Sequence, residues 1–318
     1  MSKSGNKTID LFAGIGGIRM GFENAGFETV FSNDVEPKCK ITFDLNFSEP
    51  KLFVEDIRNI KPSSIPDFNY LLGGFPCQAF SIAGYRQGFD DEKDRGNLFF
   101  YIAEILKEKS PDGFLLENVK NLCSHDQGKT FKVIEQTLIE LGYHLNYKVL
   151  NTMEYGNVPQ NRERIYIVGF KNKKHSDRFS FPEKVPLTKS FRDFLEVDVD
   201  QKYYYEGKPL YDRIKNDVVS EDDVYQWRRK YVRTNKKKVC PTLTANMGTG
   251  GHNVPIIKDH KGIRRLTPLE CVRLQGFPFD YQLPKMSSDG PLYSQAGNSV
   301  SVPVIQAIAN KIMQATSD

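Results

Sequence analysis

From Thr8 to about Phe170, short apolar runs alternate with amphipathic stretches, the pattern of repeated βαβ units around a parallel sheet. Strands are predicted at Thr8–Phe12, Glu28–Asn33, Tyr70–Gly73, Gly113–Glu117, His144–Asn151 and Arg164–Phe170. Between Leu98 and Lys109 the residues Leu98, Phe99, Ile102, Ile105 and Leu106 fall at helical spacing. Beyond about Lys171 the character changes to KNKKHSDRFSFPEK, then the aromatic and charged YYYEGKPLYDRIK, then a basic segment from Trp227 to Lys238. This reads as a second, smaller module, after which a helical pattern over Val302–Met313 returns to the first. The expected architecture is α/β: a doubly wound, mostly parallel sheet built from residues 1–180 and 291–318, with a smaller domain over 181–290.

Composition narrows the class without naming a ligand. With 39% hydrophobic residues over 318 positions, the chain can bury a sizeable core. Its net charge is +4, from 44 basic and 40 acidic residues, so a nucleic-acid surface has to come from local clustering. The start, MSKSGNKT, lacks the apolar stretch of a signal peptide, and no run approaches the ~20 apolar residues that span a bilayer. A cytoplasmic protein with no membrane partner is expected. The five cysteines, Cys39, Cys77, Cys123, Cys240 and Cys271, are odd in number and include no CxxC pair. That argues against a disulfide framework and a structural zinc, so no metal is expected, while a reduced thiol with a chemical role stays open.

The segment DLFAGIGG (Asp10–Gly17) follows a predicted strand and opens a predicted helix. There Gly14, Gly16 and Gly17 permit a tight turn and close approach of backbone to a ligand, although such turns also serve packing alone. Asp34 ends the next strand region 20 residues beyond Gly14, where a carboxylate can accept both hydroxyls of a ribose. The loop lacks the full GxGxxG pattern and a Walker lysine. An adenosine carrying a sulfonium amino acid therefore fits better than a pyrophosphate or triphosphate. Asp56 and Ile57 follow at the third strand position, where the acid either faces an adenine amino group or caps a helix.

GGFPCQAFS (Gly73–Ser81) sets Cys77 just after a buried strand, in a loop stiffened by Pro76. An isolated cysteine is ordinarily an inert buried thiol. This one lies at the carboxyl edge of the sheet, where open α/β sheets bind ligands. FLLENV brings Glu117 to the same edge, where burial would raise its pKa and let it donate a proton; capping the following helix is the alternative. QNRER presents Arg162 and Arg164 on one face of an extended segment. The pair can hold a carboxylate, a base carbonyl or a phosphate, or form a solvated charged edge.

DLFAGIGG, GFPCQAFS, ENV, QNRER, RRLTPLECVRLQGFP and QAGNSV occur in the order and approximate spacing of the C5 cytosine-specific DNA methyltransferases of bacterial restriction-modification type. The chain resembles that family over nearly its whole length, apart from about residues 172–240. The resemblance implies an S-adenosylmethionine-dependent methyltransferase fold with a target-recognition domain. It also implies methyl transfer to C5 of a cytosine flipped out of a short duplex DNA site, leaving S-adenosylhomocysteine. In enzymes similar to this one the cysteine of the PCQ motif, here Cys77, is the nucleophile. Its addition to C6 turns C5 into an enamine carbon able to take the methyl group. Glu117 would act at N3 and the exocyclic amine, and Arg162 and Arg164 would bind the O2 carbonyl and organise the loop carrying Cys77. The sequence names no base for the C5 proton, and a water is expected there.

The same resemblance assigns the cofactor to Phe12, Gly14, Gly16, Gly17, Asp34, Asp56, Ile57, Pro76, Leu98 and Asn298. Phe12 would pack on the adenine, Asp34 hold the ribose, Asp56–Ile57 face the base, and Leu98 and Asn298 close the pocket. Val35 belongs to this set but departs from the family, whose members often carry an aromatic residue there.

Double-stranded DNA is the implied partner, because the attacked carbon is buried in the base stack. The segment from Ser81 to Gly96 resembles the loop that closes over the flipped base, with Ser81 and Arg86 on DNA; a long surface loop is the alternative. PTLTANMGTGGH (Pro241–His252) resembles the recognition region of these enzymes, with Thr244, Asn246, Gly248, Thr249 and Gly250 offered to base edges. Gln226, Arg228, Arg229 and the lysines from Lys236 to Lys238 would supply phosphate contacts and an arginine for guanine, although the lysine run also reads as a solvated loop. A monomer is expected, with a restriction endonuclease acting on the same site as a further partner. The rival readings are a transfer-RNA methyltransferase, a catalytically silent DNA-binding protein on the same scaffold and a nicotinamide-dependent dehydrogenase.

Overall fold

The computed structural model describes residues 5–76, 98–249, 253–286 and 288–317. The chain forms two compact units, one from residues 1–150, 163–183 and 304–318, the other from 151–162 and 184–303.

In the first unit β1 (Lys7–Leu11), β2 (Glu28–Asp34), β3 (Phe53–Val54), β4 (Tyr70–Gly74), β5 (Gly113–Val119), β6 (His144–Asn151) and β7 (Glu163–Phe170) make one sheet. Their spatial order is β3-β2-β1-β4-β5-β7-β6. The strands β1 to β5 pair in parallel and β7 runs antiparallel to β5. The central strands read as unbroken apolar runs because both faces are covered: Ile9, Leu11, Leu71, Leu72 and Phe114 to Leu116 are fully buried. Strand order reverses between β1 and β4, so the crevice that open α/β sheets use for ligands lies beyond the carboxyl ends of these two strands.

Helices α1 (Gly17–Glu23), α2 (Pro37–Asn46), α3 (Leu98–Lys109) and α4 (Lys129–Glu140) connect the strands. The predicted stripe of α3 is the buried one, with Phe99, Ile102, Ile105 and Leu106 in the core. Gly21 of α1 allows a close approach to the last helix, Val302–Thr316, since a Cβ there would stand 2.5 Å from Ile305 Cγ2. The predicted strands are all present, with ends shifted by two residues at most. One shift matters for the site: Phe12, expected to end β1, instead takes φ 56 and starts the turn that follows.

The second unit carries a four-stranded antiparallel sheet of β8 (Tyr225–Trp227), β9 (Val232–Thr234), β10 (Ile256–Asp259) and β11 (Gly262–Arg265), in the order β9-β8-β10-β11. Tyr205, Leu210, Ile214, Val218, Tyr225, Ile256 and Ile263 form its core. Buried Arg264 pairs with Asp259 at 2.6 Å and with Glu270 at 2.8 Å, so the buried guanidinium is not left without a counter-charge. Thr267 and Glu270 form a capping box that starts the helix Pro268–Arg273. Among the described residues no helix is long and apolar enough to cross a membrane, and no cluster of side chains could hold a metal ion.

Candidate active site and nucleic-acid interface

The glycine-rich turn after β1 is built as its residue types require. Phe12, Gly14 and Gly16 take φ 56, 55 and 81, a left-handed region that glycine enters at little cost. Gly16 has a second reason to be glycine: a Cβ would stand 2.3 Å from Phe47 Cε2. At Gly14 a Cβ would meet nothing within 4 Å, so the space beside that residue is open. Its amide donates to Asp34 Oδ2 at 2.8 Å, and Glu36 N donates to Asp34 Oδ1 at 2.8 Å. Burial pushes the Asp34 carboxyl above its ordinary value, against the pull of those two backbone donors. The loop and the carboxylate 20 residues on are therefore one hydrogen-bonded unit, with Phe12 packed against the core beside it.

The other first-unit residues expected around a cofactor are distributed along the same sheet edge. Asp56 caps the short turn Ile57–Asn59 and pairs with Arg58 at 2.5 Å, whose hydrogen bonds hold its carboxyl below the usual range. Both readings offered for Asp56 require it after β3, and the cap is the one its contacts display. Ile57 is buried in the core, Val35 is exposed, and Leu98 opens α3 against the core.

A buried acid that the sequence reading passed over lies directly beneath the turn. Asp10 is wholly buried, with Oδ2 accepting from Arg19 N at 3.2 Å and Oδ1 meeting no hydrogen-bond donor among the described residues. Burial pushes its carboxyl up to about 8, Arg19 opposing this while Asp34 and Glu23 add to it. An acid set between Ile9 and Leu11 in the strand KTIDL was the signal available.

At the ends of β4 and β5, register brings Gly74 opposite Glu117. Asn118 Nδ2 donates to Phe75 O at 2.9 Å, pinning the backbone just before Pro76. Glu117 is buried, and Arg164 Nε stands 3.1 Å from its Oε1. Cys77, Ser81 and Arg86 lie outside the described residues, as does Gly250.

Arg162 and Arg164 have different partners. Strand β7 begins at Glu163, so Arg164 belongs to the first unit's sheet while Arg162 lies in the second unit. There its guanidinium is buried and donates to the carbonyls of Leu243 at 3.0 Å, Gly297 at 3.4 Å and Ser299. Asn298 ends the second unit's helix Gly290–Asn298.

Those of the residues expected on DNA that are described fall in two places within the second unit. Thr244, Asn246, Gly248 and Thr249 share one turn, where Thr244 Oγ1 donates to Asn246 Oδ1 at 2.6 Å and Thr249 Oγ1 to Asn246 O at 2.8 Å. Arg228 and Arg229 are exposed in the loop joining β8 to β9, closed by Arg228 N donating to Tyr231 O at 2.9 Å, and Gln226 precedes them on β8.

The sequence model of the family described as C-5 cytosine-specific DNA methylase matches residues 6–314. Over 307 residues the chain is 54% identical to type II methyltransferase M.Bsp6I of Bacillus sp. (strain RFL6), covering 95% of this chain and 96% of that protein. It is 45% identical to M.HaeII of Haemophilus aegyptius, covering 96% and 92%, and 38% identical to M.HhaI of Haemophilus parahaemolyticus, covering 97% and 94%. Among solved structures, DNMT2 of Spodoptera frugiperda superposes with a TM-score of 0.74 at 22% identity, covering 97% of this chain and 99% of that one. A putative DNA modification methyltransferase of an E. coli prophage gives 0.70 at 20% identity, covering 98% and 99%. These two structures share the α/β fold.

Proposed function

The chain belongs to the C-5 cytosine-specific DNA methylase family and is a DNA (cytosine-5)-methyltransferase, and from that premise we propose that it moves a methyl group from S-adenosylmethionine to C5 of a cytosine flipped out of a short duplex site. The observation that carries this reading is the edge where β4 and β5 end. Pro76, one residue before Cys77, follows a backbone pinned by Asn118, and Glu117 is buried against Arg164 at 3.1 Å.

The turn after β1 fits the methyl donor. Open space beside Gly14 suits close approach of a ligand, and Asp34 keeps acceptor capacity for ribose hydroxyls beyond its two backbone donors. Phe12, Gly14, Gly16, Asp34 and Ile57 would hold it, with Val35, Asp56, Pro76, Leu98 and Asn298 assigned on the family resemblance. When bound, it supplies an electrophilic methyl group.

The chain's own groups handle the base. The Cys77 thiolate adds to C6, Glu117 gives a proton to N3, and C5 gains the electron density it needs to take the methyl group. Arg164 holds the Glu117 carboxylate and the developing charge at O2. Arg162 works through the backbone whose carbonyls it binds. A water removes the C5 proton, the double bond re-forms, the thiolate leaves and Glu117 recovers its proton. The second unit reads the target with Thr244, Asn246, Gly248, Thr249 and Gly250, while Gln226, Arg228 and Arg229 hold the backbone. Relatives named as type II methyltransferases support a protective role in a restriction-modification system, alongside an endonuclease of the same specificity.

The test is expression of the wild type and Cys77→Ser in a host without cytosine methylation, followed by bisulfite sequencing of genomic DNA and transfer RNA. Protected cytosines in one short DNA motif, absent with Cys77→Ser, are expected. Protection confined to transfer RNA, or retained with Cys77→Ser, would overturn the reading.

A further inference from the structure

Three buried side chains of the second unit converge on the backbone that bears the recognition residues. Gln160 donates through Nε2 to Leu274 O at 2.7 Å and to Gln275 Oε1 at 3.0 Å, and its Oε1 accepts from Leu243 N at 3.3 Å. Gln275 donates through Nε2 to Ala296 O at 2.6 Å and to Ser299 O at 3.5 Å. Leu243 is therefore held at both ends of its peptide groups, by Gln160 at the amide and by Arg162 at the carbonyl. Neither glutamine is exposed at all.

The loop and the turn that these side chains join also touch directly. A Cβ on Gly297 would stand 2.2 Å from the carbonyl carbon of Thr244, so only glycine lets the end of the helix Gly290–Asn298 close on that loop. A glutamine is the one uncharged side chain of this length that offers a donor and an acceptor together. Two in series make a directional chain from the Leu243 amide through Gln160 and Gln275 to the Ala296 carbonyl, each bond polarising the next. Shifting the loop by one residue's register would orphan several buried groups at once, so the network stabilises a single arrangement.

We propose that Gln160 and Gln275 are positioning residues for target recognition, which with Arg162 lock the Leu243–Thr249 loop in register with the turn Gly297–Ser299. The proposal rests on the reading of that loop as the one that meets base edges. It adds that discrimination among target sequences depends on two side chains that themselves touch no DNA.

The experiment compares kcat/KM on the cognate duplex with kcat/KM on duplexes carrying one changed base pair. It uses Gln160→Met, Gln275→Met and the double variant, at a temperature where circular dichroism shows each fully folded. Thr244→Ala and Asn246→Ala are measured alongside. Each glutamine variant is expected to lower the discrimination ratio by about tenfold, the scale of losing one well-placed base contact. The double variant is expected to lose little more than either single one, since the three side chains act as one network. A role in stability alone would lower the unfolding temperature and leave the ratio at its wild-type value, which would overturn the clamp if the loop variants do change the ratio. An unchanged ratio in the loop variants would overturn the loop's assignment and the proposal with it. Gln275→Asn, which keeps the amide but is too short to span both partners, carries the test if the methionine variants do not fold.

Discussion

Arg164 reaches diagonally from β7 to Glu117 on β5, Nε to Oε1 at 3.1 Å, with 12% and 9% of the two side chains exposed. The pair follows from antiparallel register, which sets Arg164 opposite Val119, two residues beyond Glu117. A guanidinium so placed keeps the acid oriented and compensates the charge that it carries once its proton has gone to the base. Glu117→Gln, which keeps the shape and removes the transferable proton, is expected to lower kcat by about 10²–10⁴ while leaving cofactor affinity intact. Arg164→Met should approach that loss, and Arg164→Lys should fall between it and wild type. Single-turnover methyl transfer reads all three, and a wild-type rate for Glu117→Gln would remove the acid from the mechanism.

Asp10 gives a stability prediction with a definite sign. Its carboxyl titrates near 8 when folded and near 3.8 in the unfolded chain. Between those values the folded protein holds a proton that the unfolded chain has lost. Stability from this group is therefore full below the lower value and falls as pH rises toward the upper one. Asp10→Asn keeps an acceptor for Arg19 N without a titrating group. The variant and wild type should melt alike near pH 4, and the variant should melt progressively higher up to pH 8. The gap there corresponds to on the order of 5 kcal/mol. A constant difference across that range would show that Asp10 does not titrate in it.

Gly14 and Gly16 separate a ligand role from a packing role. Both need a left-handed backbone, which costs alanine roughly 1–2 kcal/mol. Only Gly16 would also drive a Cβ into Phe47, adding about 1–3 kcal/mol of overpacking. Urea unfolding should show Gly16→Ala as the more destabilised. Calorimetry with S-adenosylhomocysteine should show Gly14→Ala as the weaker binder relative to its stability loss, because its methyl group enters open space beside the loop. Unaltered affinity in Gly14→Ala would move the ligand elsewhere.

What the sequence made legible was local. Strands buried on both faces announce themselves as apolar runs, and Glu117 could be singled out because it follows one, Asp34 because it ends the next strand 20 residues beyond Gly14. Pairings across long separations were not legible: Gln160 and Gln275 are 115 residues apart, and nothing in QNRER or RLQGFP says that their side chains meet. Arg162 and Arg164 share a face on a simple alternating pattern. Strand β7 begins between them, and their side chains find different partners. Asp10 is acidic in composition but titrates near neutrality, a property of burial that no motif encodes.

The loop between β8 and β9 distinguishes phosphate contact from base reading. Arg228, Arg229 and Lys230 are exposed at its tip, and Arg229 takes φ 65, a backbone that glycine adopts freely. Arg229→Gly therefore removes charge without adding strain. If these cations neutralise DNA phosphates, each replacement should reduce the slope of log Kd against log salt by about one and weaken cognate and non-cognate duplexes alike. Thr244→Ala and Asn246→Ala should instead leave the slope unchanged and narrow the gap between the two duplexes, since their side chains carry no charge. Filter binding over a salt series reads both effects. A slope unchanged by Arg228→Ala and Arg229→Gly would remove this hairpin from the DNA-binding surface.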